Sequence, residues 1–348
     1  MSLYTPFSNY IEINQPNREK AASDEASYWG IRSDEYRDYR ERWNRAIHDQ
    51  SYTPDAPLCV AIDASGLCNL RCRGCHQSIE GAITNAGTLG YDSAIRIIDQ
   101  CVESKVPSVS FTWKGEPTLN KHLPEMIAYC REKNILETRV VSNALSPHKE
   151  IMINMAKAGL HRLILSVDGH SKESYELYRR GSNFEKMREN IEEILHWKFH
   201  NGNTFPLIRI QCVRTKYNAH EIDEFVNYWM SRACVNDVRI SDVMNRKADA
   251  TQSEYSVGDQ TIIGRVPCAS PRQRLVFSDK ADNAFPCCHA WDESYPLGNI
   301  QKQTLMDIWN GEPIKRLRKL LNESKHDSVK MCKFGTCAAK ETYVFSKN

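Results

Sequence analysis

Between residue 58 and about residue 242 the chain alternates between two hydrophobic periods. Short runs rich in apolar and β-branched residues fall at 58–64, 108–113, 138–142, 162–167, 207–213 and 237–240. Longer segments with apolar positions three and four apart lie between them, at 91–104, 123–133, 147–158, 184–197 and 219–232. Pro147 after Ser146 predicts a helical first turn, and Asn218 followed by Glu221 predicts a capping box. Six strands alternating with helices predict an α/β fold with a parallel sheet. The period alone leaves open whether that sheet is flat or curls into a partial barrel.

The flanks read differently. Residues 1–56 are polar and charged, and 33–48 predicts a helix with Tyr36, Tyr39 and Trp43 on one side, packed on the main body. From about residue 264 the rhythm breaks. Cys268, Cys287, Cys288, Cys332 and Cys337 are separated by short apolar runs. This predicts a separate small domain held by a metal centre rather than by a large core. Gly298 and Asn299 mark a turn, followed by a short amphipathic helix bearing Leu305, Ile308 and Trp309. The expected division is 1–56, a helical extension; 57–245, the alternating domain; and 246–348, the cysteine-bearing domain.

Composition narrows the function. The 46 Lys and Arg nearly balance the 44 Asp and Glu, for a net charge of +2, which argues against a nucleic-acid partner. No stretch approaches the ~20 apolar residues that span a bilayer, so no membrane association is expected. The N-terminus carries no apolar signal core, and a cytoplasmic location is expected. The abnormal number is 13 cysteines. In a reducing compartment these point to metal binding or catalysis rather than disulfides.

Three cysteines follow the first predicted strand as Cys68-Asn-Leu-Arg-Cys72-Arg-Gly-Cys75. Loops after strands are where α/β folds collect their active sites. Three thiolates are one short of a closed zinc site or a fully ligated [4Fe–4S] cluster. Either His76 or a distant residue completes a zinc site, or one iron stays open for a ligand. Polar residues then recur at the ends of successive strands: Lys114-Gly115-Glu116-Pro117, Ser142-Asn143, and Ser166 with Asp168 and Gly169.

In this order the residues resemble the radical S-adenosylmethionine (radical SAM) superfamily over about 58–242. The resemblance implies a partial (β/α)6 TIM-like barrel. Cys68, Cys72 and Cys75 would hold a [4Fe–4S] cluster whose unique iron binds the amino and carboxylate groups of S-adenosylmethionine. Gly115 and Glu116 match the motif that receives the methionyl amine. Ser142 and Asn143 match ribose and carboxylate contacts, and Ser166 and Asp168 the next pair. Arg179 matches an arginine that meets the carboxylate, with Arg180 as the register alternative. Two positions depart from the family pattern. Lys114 replaces the first glycine of the strand-two motif, and Gly74 stands where an aromatic residue often precedes the third cysteine.

The C-terminal cysteines resemble the auxiliary-cluster domains called SPASM and Twitch. A full SPASM domain has about seven cysteines for two clusters. Five here suit the shorter form, with one auxiliary [4Fe–4S] cluster on Cys268, Cys287, Cys332 and Cys337, and Cys288 as the alternative to Cys287. A four-cysteine zinc site is the competing reading. Cys59, Cys101, Cys130, Cys212 and Cys234 are isolated and read as structural thiols.

The resemblance implies a radical enzyme that abstracts a substrate hydrogen, with the auxiliary cluster accepting an electron. A small, carbohydrate-like substrate is expected, because residues 1–56 are too short and too helical for a winged peptide-binding domain. Flavodoxin or ferredoxin would supply electrons. A redox-neutral epimerase or dehydratase and a peptide maturase are alternatives on the same scaffold. A non-catalytic zinc or iron–sulfur regulator is the alternative from another class.

Overall fold

A computed structural model describes residues 33–78, 86–243, 255–257 and 268–333, and as backbone the strands 10–13 and 342–346. Strand β1 (Tyr10–Ile13) and helix α1 (Asp34–His48) precede the alternating region. That region runs β2 (Cys59–Ile62), α2 (Tyr91–Glu103), β3 (Ser108–Phe111), α3 (Leu123–Glu132), β4 (Glu137–Ser142), α4 (Ile151–Lys157) and β5 (Arg162–Ser166). It continues with α5 (Lys172–Tyr178), α6 (Phe184–His200), β6 (Leu207–Arg214), α7 (Ile222–Met230) and β7 (Val235–Asp242).

Strands β2 to β7 pair in parallel and in sequence order. Right-handed crossovers between sequential parallel strands place every connecting helix on the same face, so the sheet curls with its helices outside. This is the arrangement of a partial (β/α)6 barrel. All C-terminal strand ends then open on one mouth.

The C-terminal segment adds α8 (Ser270–Gln273), β8 (Arg274–Phe277), β9 (Asn283–Phe285), β10 (Gly298–Asn299), α9 (Leu305–Trp309), α10 (Glu312–Asn322), α11 (Lys330–Lys333) and β11 (Thr342–Ser346). It is less separate than the sequence predicts. β8 joins the sheet parallel to β2, and β11 joins the opposite edge antiparallel to β7. Leu275, Phe277, Leu305, Ile308 and Trp309 are buried in the same apolar core as Val60, Val109 and Ile208. β1 pairs with β11, so the N-terminal extension contributes a strand as well as a helix. Sheet edges are sticky, and a strand from elsewhere in the chain covers them.

Helix α1 docks as its aromatic spacing predicts. Tyr36 and Tyr39 are buried, and Tyr39 Oη donates to Glu137 Oε2 at 3.2 Å. Two terminal signals resolve differently. Pro147 lies in a turn, and α4 starts at Ile151 after a left-handed Glu150 (φ 58°). Ser146 explains the delay: its Oγ donates to Thr118 O (2.9 Å) and accepts from His148 N–H (3.0 Å). Asn218 and Glu221 form no capping box. Asn218 Oδ1 accepts from Thr215 N–H (2.7 Å), while its Nδ2 donates to Asp168 O (3.0 Å). Glu221 accepts from His170 N–H (2.6 Å) and from the Ser174 hydroxyl, and so caps the start of α5. Helices α5 and α10 have no counterpart among the predicted elements.

Candidate active site and auxiliary cysteine cluster

The Cys68–Cys75 loop leaves the end of β2 and lies against the end of β3. Glu116 N–H donates to Leu67 O at 2.8 Å. A Cβ on Gly115 would run into the carbonyl oxygens of Leu67 and Ser65, so no larger residue fits there. Gly74 sits at φ +73°, a left-handed turn that glycine adopts without strain and that redirects the chain before Cys75. The opposite edge of the loop is zipped to the segment after α5. Arg71 N–H donates to Arg180 O and Arg73 N–H to Tyr178 O, both at 2.8 Å.

Four of the strand-end residues form one buried network. Glu116 Oε1 accepts from Thr118 N–H (3.1 Å), Thr118 Oγ1 (2.7 Å) and Ser142 Oγ (2.8 Å), and Oε2 accepts from Asn143 N–H (2.7 Å). Asn143 Nδ2 donates to Asn69 Oδ1 (2.9 Å), beside Cys68. Burial raises the Glu116 carboxyl above its usual range, and these donors counter it. Gly115, Glu116, Ser142 and Asn143 are therefore brought together with the cysteine loop. Asp168 and Arg179 form a second buried group at the end of β5. Ser166 is half-buried at the last position of that strand. Of the two candidate arginines, Arg179 is buried and Arg180 is exposed.

The donor set suits an iron–sulfur centre. Burial pushes the Cys68 thiol up to about 11 and the Cys72 thiol up to about 12. Neighbouring acids and thiols add to this, and Arg179 opposes it. Thiolates packed this way are favoured once a metal offsets their charge. Leu70 N–H donates to Cys68 Sγ at 3.4 Å, and such donors stabilise a ligating sulfur. Among the described residues, no group of three or more His, Cys, Asp and Glu side chains, the Cys68–Cys75 thiols included, is close enough to hold a metal ion. His76 is buried, its Nδ1 is 3.9 Å from Cys75 Sγ, and its ring stacks on Trp291 at 5.6 Å.

Three of the C-terminal cysteines border one apolar group. Cys287 is buried with Ala61, Val276, Phe285, Leu317, Leu321 and Met331, and Cys268 and Cys332 pack against the same group. Cys288 is exposed. Cys337 lies outside the described residues. Of the five isolated cysteines, Cys59, Cys101, Cys130 and Cys212 are buried and Cys234 is half-buried.

Sequence reasoning passed over several residues that organise the mouth. Gln77 Nε2 bridges Gly66 O (2.8 Å) and Lys114 O (3.0 Å). Asp63 Oδ1 accepts from Lys114 N–H (3.3 Å). Trp113 Nε1 donates to Cys288 O (3.1 Å). The one available signal was Asp63, a carboxylate ending an otherwise apolar strand.

Comparison with known proteins fits this geometry. Residues 63–210 match the Radical SAM superfamily, and residues 268–338 match SPASM, an iron–sulfur cluster-binding domain. The chain joins a radical SAM domain to a SPASM domain. These domains imply S-adenosylmethionine, a [4Fe–4S] cluster that binds it, and auxiliary iron–sulfur. A probable GTP 3′,8-cyclase of Methanococcus maripaludis is 30% identical over 129 residues, 37% of this chain and 42% of that protein. The chain thus spans less than half of that relative. A PqqA peptide cyclase of Xanthomonas oryzae pv. oryzae is 25% identical over 299 residues, 76% of this chain and 78% of its own.

Among solved structures, Streptococcus suis SuiB bound to S-adenosylmethionine superposes with a TM-score of 0.60 at 16% identity, over 91% of this chain and 82% of that one. BtrN in complex with AdoMet and 2-DOIA superposes with a TM-score of 0.56 at 15% identity, over 80% and 93%. At such identities the likeness is one of fold. No helix among the described residues is long and apolar enough to cross a membrane.

Proposed function

We propose that the chain is a radical SAM oxidoreductase acting on a small polar, carbohydrate-like substrate, with one auxiliary [4Fe–4S] cluster as electron acceptor. Cys68, Cys72 and Cys75 would hold the S-adenosylmethionine-binding cluster, with Gly115, Glu116, Ser142, Asn143, Ser166, Asp168 and Arg179 around the ligand. Cys268, Cys287, Cys332 and Cys337 would hold the auxiliary one. When bound, this cluster and S-adenosylmethionine would supply reductive radical chemistry able to abstract a hydrogen from a substrate. This chain's own part is to present a carboxylate and backbone acceptors to an ammonium at Glu116, and a fixed guanidinium to a carboxylate at Arg179. The packing of Cys268, Cys287 and Cys332 on one apolar group, which Trp113 also borders, is the observation that supports the oxidative reading.

A flavodoxin or ferredoxin would deliver electrons. The match to PqqA peptide cyclase over 76% of this chain favours a peptide substrate as the second reading. Incubation with S-adenosylmethionine and dithionite, against panels of aminosugars and of short peptides, tests both. Oxidation yields a product lighter by two hydrogen atoms, whereas an epimer keeps its mass. A product of unchanged mass overturns the oxidative reading, and turnover of peptides alone overturns the small-substrate one.

A further inference from the structure

Lys114 directly precedes Gly115 and Glu116, yet its ammonium is engaged on the SPASM side. Nζ lies 2.5 Å from Glu293 Oε1 and 3.5 Å from Asp279 Oδ1. Its backbone N–H donates to Asp63 Oδ1. Three acidic side chains therefore converge on one residue, from the end of β2, the end of β8 and the stretch after the paired cysteines. The site is enclosed: the Lys114 side chain is 7% exposed and that of Asp279 1%, and only Glu293, at 32%, reaches toward solvent.

One residue earlier, Trp113 holds the same SPASM stretch by other means. Its indole N–H donates to Cys288 O, its ring lies 5.2 Å from Phe285, and the Lys114 ammonium sits 4.7 Å from its ring centre. Two consecutive barrel residues thus hold residues 285–293, the stretch that contains Cys287. The barrel end of this contact is closely packed, because a Cβ on Gly115 would meet the carbonyls of Ser65 and Leu67. Asp279 is equally constrained: its Oδ2 accepts from Gly87 N–H at 2.5 Å. A buried ion pair adds little net stability, because desolvation offsets the attraction, but its geometry is exacting. It therefore specifies position more than it strengthens the fold.

We propose that Lys114 and Trp113 are positioning residues that fix the auxiliary-cysteine stretch at one distance from the S-adenosylmethionine motif. The inference rests on the two-cluster reading above. It assigns a role to the lysine found where the family motif has glycine: a charged tie between the two domains.

Pulsed electron paramagnetic resonance on the full-length, anaerobically reconstituted and dithionite-reduced protein tests it, through the dipolar coupling between the two clusters. The native chain is expected to give one narrow distance distribution. Lys114→Met should broaden that distribution about twofold or more, Lys114→Arg should restore it, and Glu293→Gln should broaden it with iron content unchanged. If Lys114→Met fails to load both clusters, Glu293→Gln decides alone. An unchanged distribution in Glu293→Gln and in any loaded Lys114→Met overturns the inference. A native chain that holds fewer than two clusters overturns instead the reading on which it rests.

Discussion

Arg179 Nη2 lies 2.8 Å from Asp168 Oδ2, and both side chains are buried. The pair joins three elements. Asp168 lies two residues beyond β5, its Oδ1 accepts from Val213 N–H of β6 (2.7 Å), and Arg179 follows α5 beside the cysteine loop. Burial works against the Arg179 charge, but Asp168 and Cys72 outweigh it and keep the guanidinium protonated. Removing one partner strands the other's charge, which costs about 3–5 kcal/mol for a buried pair. Asp168→Ala should lose about that much in urea unfolding and bind S-adenosylmethionine more weakly. Equal stability in the variant would show that the pair is not a structural tie.

Gly115→Ala should be poorly tolerated, because the new methyl overlaps two backbone carbonyls that cannot yield as a side chain does. Such overpacking costs about 1–3 kcal/mol. Gly87→Ala is the control, since there the nearest atom, Asp279 Oδ2, stands at 3.5 Å, an ordinary contact. Thermal melts and iron content after reconstitution should fall for the first and hold for the second.

Asp63 supplies a pH dependence. Burial raises its carboxyl to about 8, Asp279 adds to the rise, and Lys114 with the backbone N–H groups of Lys114 and Gly115 opposes it. The unfolded value is about 3.9, so the folded state holds the extra proton between about pH 4 and pH 8. This group's contribution to stability therefore falls as pH rises through that window and levels off above it. Asp63→Asn keeps an acceptor for the backbone donors and removes the titration. Denaturant unfolding at about pH 5 and about pH 8 should show a smaller decline for the variant than for the native chain. An identical decline would place the titration elsewhere.

The paired cysteines separate cleanly in burial. Cys287 lies inside the apolar group that Cys268 and Cys332 flank, whereas Cys288 is exposed and has its carbonyl bound by Trp113. Cys287→Ser should cost about four irons per chain, the content of one [4Fe–4S] cluster, and Cys288→Ser none. The reverse pattern in iron analysis would reassign the ligand.

The parallel order of β2 to β7 was legible because each strand and helix carries its own period, and sequential right-handed crossovers leave one arrangement. The cysteine loop was legible from spacing alone. What escaped depends on distant pairing. Glu221 looked like a local cap but is drawn to His170 and Ser174 of α5. Lys114 looked like a departure from a motif until β8 paired with β2 and brought Asp279 beside it. The C-terminal segment is less independent than its spacing suggested, because Leu275, Phe277, Leu305, Ile308 and Trp309 join the barrel's core while a second apolar group forms around Cys287.

The central claim is that Cys68, Cys72 and Cys75 hold the cluster that cleaves S-adenosylmethionine. The direct measurement is 5′-deoxyadenosine formed by the reconstituted, dithionite-reduced chain, with iron and sulfide counted on the same sample. The account predicts about eight irons per chain, 5′-deoxyadenosine from the native protein, and none from a Cys68→Ala, Cys72→Ala, Cys75→Ala variant. Zinc in place of iron, or a fully loaded native protein that forms no 5′-deoxyadenosine, would contradict it.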